Sequence, residues 1–305
     1  MLSRSVAIIV GVIVTVLWSS SYILNAWAFE EGIGPLTLAG ARYLVAAIVL
    51  TVVVRSVHLF DKRENDAKLK LNWRILLLLG LTGYLFAQGL QYAGQFYMTP
   101  TQTSLFLSIG NTSAVLLVDY AYTRESRSRS SIYALLALSV GVLSYFYPWE
   151  LKQISFIGIT LVLFSSIGYA LNLTINRSLL HQKVARTEDL ILFPMLIGAV
   201  GLLGVGLTIE EIPSITPKLV LLILWLGSVN GALAFYLWTW TQRHLKAFES
   251  SLLNNVILIE IALLDVLFLQ RQLSLLQVFG ILFVAVSIAY VQISPLLKKR
   301  RESIL

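Results

Sequence analysis

Hydrophobic and polar positions divide the chain into long apolar runs separated by short polar intervals. Ten runs can be drawn, at about 6–28, 36–57, 73–94, 101–122, 129–147, 156–176, 189–209, 219–240, 249–269 and 275–293. Each approaches the roughly 20 residues that an α-helix needs to cross a hydrocarbon core. None shows the alternation over about ten residues that marks a strand of a membrane barrel. Backbone polar groups find no water inside lipid, so runs of this kind are predicted to be helices. The first run is longer than a signal-peptide core, and the sequence stays apolar beyond any cleavage site, so it reads as a spanning helix. Two connections are very short, Gln95 to Pro100 and the stretch 240–249.

Composition narrows the class. Of 305 residues 57% are hydrophobic and 13% charged, and the mean hydropathy is +0.79. Ordinary soluble domains carry about 25% charged residues, so this chain cannot clothe itself for water. Disorder needs the opposite composition, and the absence of cysteine removes a disulfide scaffold. The expected fold is an all-α membrane protein of ten transmembrane helices.

The basic residues set an orientation. With the N-terminus inside, nineteen of the 23 Lys and Arg fall in inside segments, with only Lys152, Lys218 and Arg271 outside and Arg42 within a span. Such asymmetry places both termini in the cytoplasm of a cell membrane. The run Lys298-Lys299-Arg300-Arg301 reads as an anchor facing anionic lipid rather than a nucleic-acid patch.

Displacing the chain by 146 residues aligns its halves without gaps over most of their length. Ser19-Ser20 then meets Ser165-Ser166, Ser104 meets Ser250 and Asp119 meets Asp265. The expected domains are residues 1–150 and 151–305, each a five-helix repeat. An odd number of crossings makes the two repeats opposite in sense, and the basic Arg124, Arg127 and Arg129 loop against the nearly uncharged Gln270-Arg271-Gln272 agrees. Inverted repeats are a mark of secondary transporters, whose substrates bind near the midplane between the repeats.

Polar residues at helical spacing show which helices border a path. The first helix offers Thr15, Trp18, Tyr22 and Asn25; the third offers Tyr84, Gln88, Gln91 and Gln95; the fourth Ser104, Ser108, Asn111 and Thr112. The sixth offers Ser165, Tyr169, Asn172 and Asn176, the eighth Asn230, Trp238 and Thr241, and the ninth Ser251, Asn254 and Asn255. The fifth and tenth are almost bare and are expected at the periphery. Single residues of these types often only bond helix to helix, but paired stripes point to a cavity. The expected substrate-binding residues are Trp18, Tyr22, Asn25, Arg42, Tyr84, Gln88, Gln91, Ser108, Asn111, Tyr169, Asn172, Asn230, Trp238 and Asn254. Among the aromatics, Trp18, Tyr22, Tyr84, Tyr92, Tyr169 and Trp238 can stack on a planar or cationic substrate, whereas Trp27, Trp73, Trp149 and Trp240 suit an interfacial belt.

Few charges lie inside the spans. Glu260, at the middle of the ninth helix, is a proton-coupling candidate or a link between two helices; at 100° per residue it lies about 120° from the Asn254 face. Arg42, about two turns into the second helix, suits a substrate carboxylate bidentately or a structural bond. Asp119 and Asp265 sit near helix ends, where solvated or Arg-paired carboxylates are expected. Glu249 suits the N-terminal dipole of the ninth helix.

Three stretches resemble the drug/metabolite transporter superfamily, in particular its ten-helix EamA-type members. They are Leu17-Trp18-Ser19-Ser20-Ser21-Tyr22 with Gly34-Pro35-Leu36-Thr37 and Ala41-Arg42-Tyr43; Ala232-Leu233-Ala234-Phe235-Tyr236-Leu237-Trp238; and Leu273-Ser274-Leu275-Leu276-Gln277-Val278-Phe279-Gly280. The likeness spans essentially the whole chain. Family members usually carry a proline in the fourth and ninth helices, near 111–112 and 258 here, and this chain has none there. The glutamate that usually follows those helices is Glu125 in the first half and is replaced by Arg271 in the second. The resemblance implies a transporter of amino acids, other metabolites or drugs, most often an exporter.

Enzyme chemistry finds little support. His58, His181 and His244 are scattered in cytoplasmic segments, and no GxxxxGK[ST] loop exists to bind ATP. No cofactor or metal is expected. The expected partners are a small-molecule substrate, membrane lipid, and a proton or exchange substrate; monomer and homodimer both stay open. The reading is secondary transport of a small metabolite by alternating access, with a membrane-embedded lipid-modifying enzyme or sensor as the alternative.

Overall fold

A computed structural model of the chain describes residues 2–60, 72–123, 129–147, 155–269, 274–283 and 286. Among these, every regular element is helical. We label them α1 (Leu2–Glu30), α2 (Pro35–Phe60), α3 (Trp73–Phe96), α4 (Pro100–Val118), α5 (Arg129–Phe146), α6 (Phe156–His181), α7 (Thr187–Ile209), α8 (Pro217–Thr241), α9 in two halves (Ala247–Asn254 and Val256–Leu269) and α10 (275–283). Among the described residues seven helices are long and apolar enough to cross a membrane: α1 to α4 and α6 to α8. Trp149, Glu125, Arg271, the 298–301 basic run and the side chain of Asp265 lie outside the described residues.

The surface is built inside out relative to a soluble protein. Large apolar side chains such as Ile9, Ile13, Val16, Val52, Leu117 and Val200 are exposed, whereas Thr15, Ser19, Asn25, Asn111, Thr112, Ser165 and Asn230 are buried. Lipid accepts the first group without cost, and the second must find partners inside the bundle. Trp27 and Trp73 are exposed, as a belt requires, while Trp240 packs in an apolar cluster and meets His244 edge to face at 5.1 Å.

Packing exchanges the two halves. α1 runs between α8 and the second half of α9, and α6 runs between α3 and α4, while α2 packs along α7. Each half therefore sends its first helix onto the third and fourth helices of the other half. The displacement of 146 residues maps one set of contacts onto the other, a relation the scattered identities alone did not carry.

Two π-helical segments interrupt the third helix of each half, at Gly80–Gln88 in α3 and Ser228–Leu233 in α8. The second maps onto residues 82–87, inside the first. Such wide turns cluster at functional sites, and nothing in the hydrophobic pattern marks them. The fourth helices depart from each other instead. α4 runs unbroken through residues 111–112, whereas α9 is interrupted at Asn255 although no proline is nearby. There Asn255 N–H bonds Leu252 O at 3.1 Å, a tightened turn, and its Nδ2 donates to Thr112 Oγ1 of α4 at 2.9 Å.

The short segment Gly34-Pro35-Leu36-Thr37 begins α2 by an anion-capping arrangement. Pro35 fills the first turn, where no N–H is needed. Glu210, just beyond α7, accepts Leu36 N–H and Thr37 N–H at 2.8 Å each and Thr37 Oγ1 at 2.6 Å. A Cβ on Gly34 would lie 2.3 Å from that carboxylate, so a side chain there would displace Glu210 from the helix start. Nearby, Glu31 is held by Lys218 Nζ at 2.8 Å and by Thr216 Oγ1 at 2.7 Å. The Lys218 bond first, then the threonine hydroxyl, keep this carboxyl below the usual range. Replacement of Glu210 by glutamine is expected to cost about 2 kcal/mol, because charge-assisted bonds to a helix N-terminus are lost. Thermal unfolding in detergent checks this. Gly34→Ala should add little to Glu210→Gln, since both break the same contact.

Candidate functional site

A cavity lies where the halves meet. Its volume, mouth included, is about 860 Å³. Side chains from α1, α2, α3, α4, α6, α8 and α9 line it, and none from α5 or the described part of α10. That matches the division drawn from the polar stripes, with α2 contributing Arg42.

Twelve of the fourteen expected residues line the cavity: Trp18, Tyr22, Asn25, Arg42, Tyr84, Gln88, Gln91, Asn111, Tyr169, Asn172, Trp238 and Asn254. Ser108 and Asn230 do not. Ser108 turns back to donate to Ser104 O at 2.8 Å, within its own helix. Asn230 is fully buried between α8 and α1. Its Nδ2 donates to Leu17 O and, at 3.1 Å, to Ser20 Oγ. Its backbone carbonyl, in the π segment, accepts Trp18 Nε1 at 3.1 Å and Arg42 Nη2 at 2.9 Å. Asn230 thus supports the wall rather than forming it.

Lining residues that the selection omitted include Ser21, Asn176, Phe235, Thr239 and Gln242. Asn176 belongs to the α6 polar stripe. Phe235 is apolar, and Gln242 follows the end of α8, where a solvent-facing amide is the ordinary reading; no periodic signal marks either.

Among the described residues Arg42 is the only charged side chain in the lining. It is 3% exposed, and its Nη1 donates to Tyr92 OH. Its guanidinium lies 5.4 Å from the Tyr43 ring centroid and 5.8 Å from that of Tyr92. Tyr43 OH donates to Gln88 Oε1 at 2.6 Å, and Tyr43 packs edge-on against Tyr84 and Phe235. Trp18 packs against Phe235 and Trp238, both with centroids within 5.2 Å. One side of the cavity is therefore an aromatic wall around a fixed cation.

The remaining lining is amide-rich. Asn25 Nδ2 donates to Gln95 Oε1 and Gln95 Nε2 donates to Tyr22 O, each at 3.0 Å, tying α1 to α3. Gln91 Nε2 reaches Tyr22 OH at 3.2 Å. Asn172 Nδ2 donates to Leu79 O at 3.1 Å, tying α6 to α3, and Asn172 Oδ1 accepts Asn176 Nδ2 at 3.0 Å. At one end Arg177 Nη1 donates to Gln242 O at 3.0 Å. Beside it His244 is held below the usual histidine range, by burial first and then by the positive charges of Arg243 and Arg177.

The acids described in or beside the spans, Glu260, Asp119 and Glu249, lie apart from the cavity. Glu260 faces α1 and accepts Thr15 Oγ1 at 3.0 Å, as its angle from Asn254 implied. Asp119 is 1% exposed, which rules out the solvated form of the expected solvated or Arg-paired carboxylate and leaves the paired form standing. Glu249 bonds Lys246 N–H at 3.0 Å at the start of α9, as its dipole role requires, and also pairs with Arg4 at 2.9 Å.

Comparison with known proteins identifies the architecture. A solved structure described only as the crystal structure of a protein superposes with a TM-score of 0.75 at 15% sequence identity, over 94% of this chain and 96% of that one. At that identity the match establishes the fold. No curated protein matches the sequence. The sequence model of the EamA-like transporter family matches twice, over residues 5–147 and 156–292. A multi-pass helical bundle, two successive repeats of that family covering nearly the whole chain, and a polar cavity at their junction lead to one assignment: the chain belongs to the EamA-like transporter family.

Proposed function

We propose that the protein is a secondary transporter of a small polar or amphipathic metabolite, working by alternating access in a cell membrane with both termini cytoplasmic. Residues 1–150 and 151–305 form two inverted five-helix repeats, ten crossings in all, and the cavity between them opens to each side as one repeat rocks against the other. The observation that carries this reading is the reciprocal packing: α1 on α8 and α9, α6 on α3 and α4, with a polar cavity at the shared seam. Two halves related in this way have two equivalent closures, one at each end of the cavity. Export is the direction implied by the resemblance, and a gradient or an exchange substrate drives it, since no ATP loop is present in the sequence.

The test is uptake and efflux in proteoliposomes with a metabolite panel, with and without a pH gradient. Movement of at least one compound is expected. Turnover of a lipid with no movement of any compound would replace the transporter by the lipid-modifying enzyme.

Glu260 is the coupling candidate within this reading. It joins α9 to α1 through Thr15, one turn from Trp18 in the aromatic wall. A carboxylate that carries a proton across this contact changes how tightly the two repeats hold each other. Glu260→Gln is expected to remove the dependence of transport on the pH gradient while leaving downhill movement. An unchanged dependence would reduce Glu260 to a packing link.

A further inference from the structure

The geometry points to a substrate that carries a single negative charge, a carboxylate seated against Arg42. This deepens the transporter reading and rests on it. Drug/metabolite transport covers cations, neutral compounds and anions, and the cavity is selective among them.

The first observation is charge. Arg42 is buried in the middle of the bundle, and among the described residues no acidic side chain lies within 4 Å of it. Among the described residues no acidic side chain lines the cavity. A guanidinium cannot shed its proton to escape burial, and a cation inside a membrane is costly without a counter-charge. Tyr43 and Tyr92 soften that cost through their ring faces, but neither supplies a negative charge.

The second observation is geometry. Two hydrogen bonds hold the group, Nη1 to Tyr92 OH and Nη2 to Asn230 O, and these orient its plane. Nε is buried with no partner. A guanidinium has five N–H donors, so the fixed fork keeps an unused edge suited to two parallel bonds to a carboxylate.

The third observation is what surrounds the cation. The buried amide oxygens of Asn25, Asn111 and Asn254 and the hydroxyl of Tyr169 have no hydrogen-bond partner and belong to the same lining. They are neutral, so they can bind a hydroxyl or amide on the substrate but cannot offset a second charge. A monocarboxylate leaves the occupied cavity electrically neutral. A phosphate monoester, mostly a dianion at neutral pH, leaves it negative. An organic cation meets Arg42 with repulsion and finds no carboxylate, because Glu260 is turned to α1. Carboxylate monoanions are thus the class this cavity admits.

The experiment uses the full chain, both in detergent for thermal stabilisation and in proteoliposomes for movement. The probes are acetate, lactate and hexanoate, the matching neutral amides, alkyl phosphates of matching chain length, and the corresponding primary amines. At least one carboxylate should raise the melting temperature and be transported, with its amide, amine and phosphate analogues at least tenfold weaker. Arg42→Gln should weaken the carboxylate response at least tenfold, and Arg42→Lys, which keeps the charge but not the fork, should retain part of it. The melting curve of each variant without probe separates loss of binding from loss of fold. Amines or amides that move while no carboxylate binds would sink the anion assignment and leave transport standing. Carboxylate binding without movement of any compound would keep the anion site and sink transport. Neither binding nor movement of any probe would overturn both.

Discussion

Alanine at Gly168 is expected to destabilise the protein by about 3 kcal/mol, and leucine there to prevent a monodisperse fold. Gly168 lies on α6 where it crosses the π segment of α3. A Cβ at this position would sit 2.5 Å from Thr82 O and 2.9 Å from Ala87 N, both backbone atoms, and 3.0 Å from the Phe86 ring. A side chain in the way can rotate, whereas a backbone carbonyl moves only if its helix moves. The helices are locked on both sides of the contact, because Asn172, one turn further along α6, donates to Leu79 O and fills the space beside Gly83. Close approach through small residues is how membrane helices gain packing energy when lipid competes for every apolar surface. Thermal unfolding and size-exclusion profiles in detergent measure the effect. Gly204→Ala is the control: no atom lies within 4 Å of the added carbon, so stability should hold or rise slightly.

Leucine at Asn230 should lower transport at least tenfold while costing only about 1–2 kcal/mol of stability, the scale of interhelical hydrogen bonds in membranes. The substitution removes the bonds to Leu17 O and Ser20 Oγ that hold α8 against α1. Its larger effect is indirect. The Asn230 carbonyl bonds both Trp18 and Arg42, and that carbonyl stays in place because the side chain pins the π segment. Releasing it frees the guanidinium and the indole together, and a site displaced by about 1 Å loses most of its positioning. Uptake in proteoliposomes beside the melting curve separates the two effects: a large loss of stability with proportionate loss of uptake would make Asn230 merely a packing residue.

Much of the cavity was legible in the chain because lipid makes the pattern simple. Trp18, Tyr22 and Asn25 share one face of α1, and Tyr169, Asn172 and Asn176 share one face of α6; in each case the membrane-facing side is mostly apolar, so the polar face had to turn inward. Glu260 was likewise separable by angle alone. Ser108 and Asn230 were not separable from their neighbours. A serine in a membrane helix can satisfy itself on the carbonyl four residues back, as Ser108 does, and periodicity does not distinguish that from facing a cavity. Asn230 sits in a π turn, where the 3.6-residue period on which the stripes rest no longer holds. The break at Asn255 was hidden for a similar reason: it rests on a bond to Thr112 of another helix rather than on a local proline.

By itself the sequence determined what must be helix, which faces are polar and that the chain is two repeats, because hydrophobic length, helical period and family likeness are all properties of residue order. The tertiary structure decided which polar faces share one cavity, where the helices depart from the α-helical period, and that Arg42 stands there without a described acid beside it. Those are relations between residues of different helices, such as Arg42 with Tyr92 and Asn230, and only packing brings them within bonding distance.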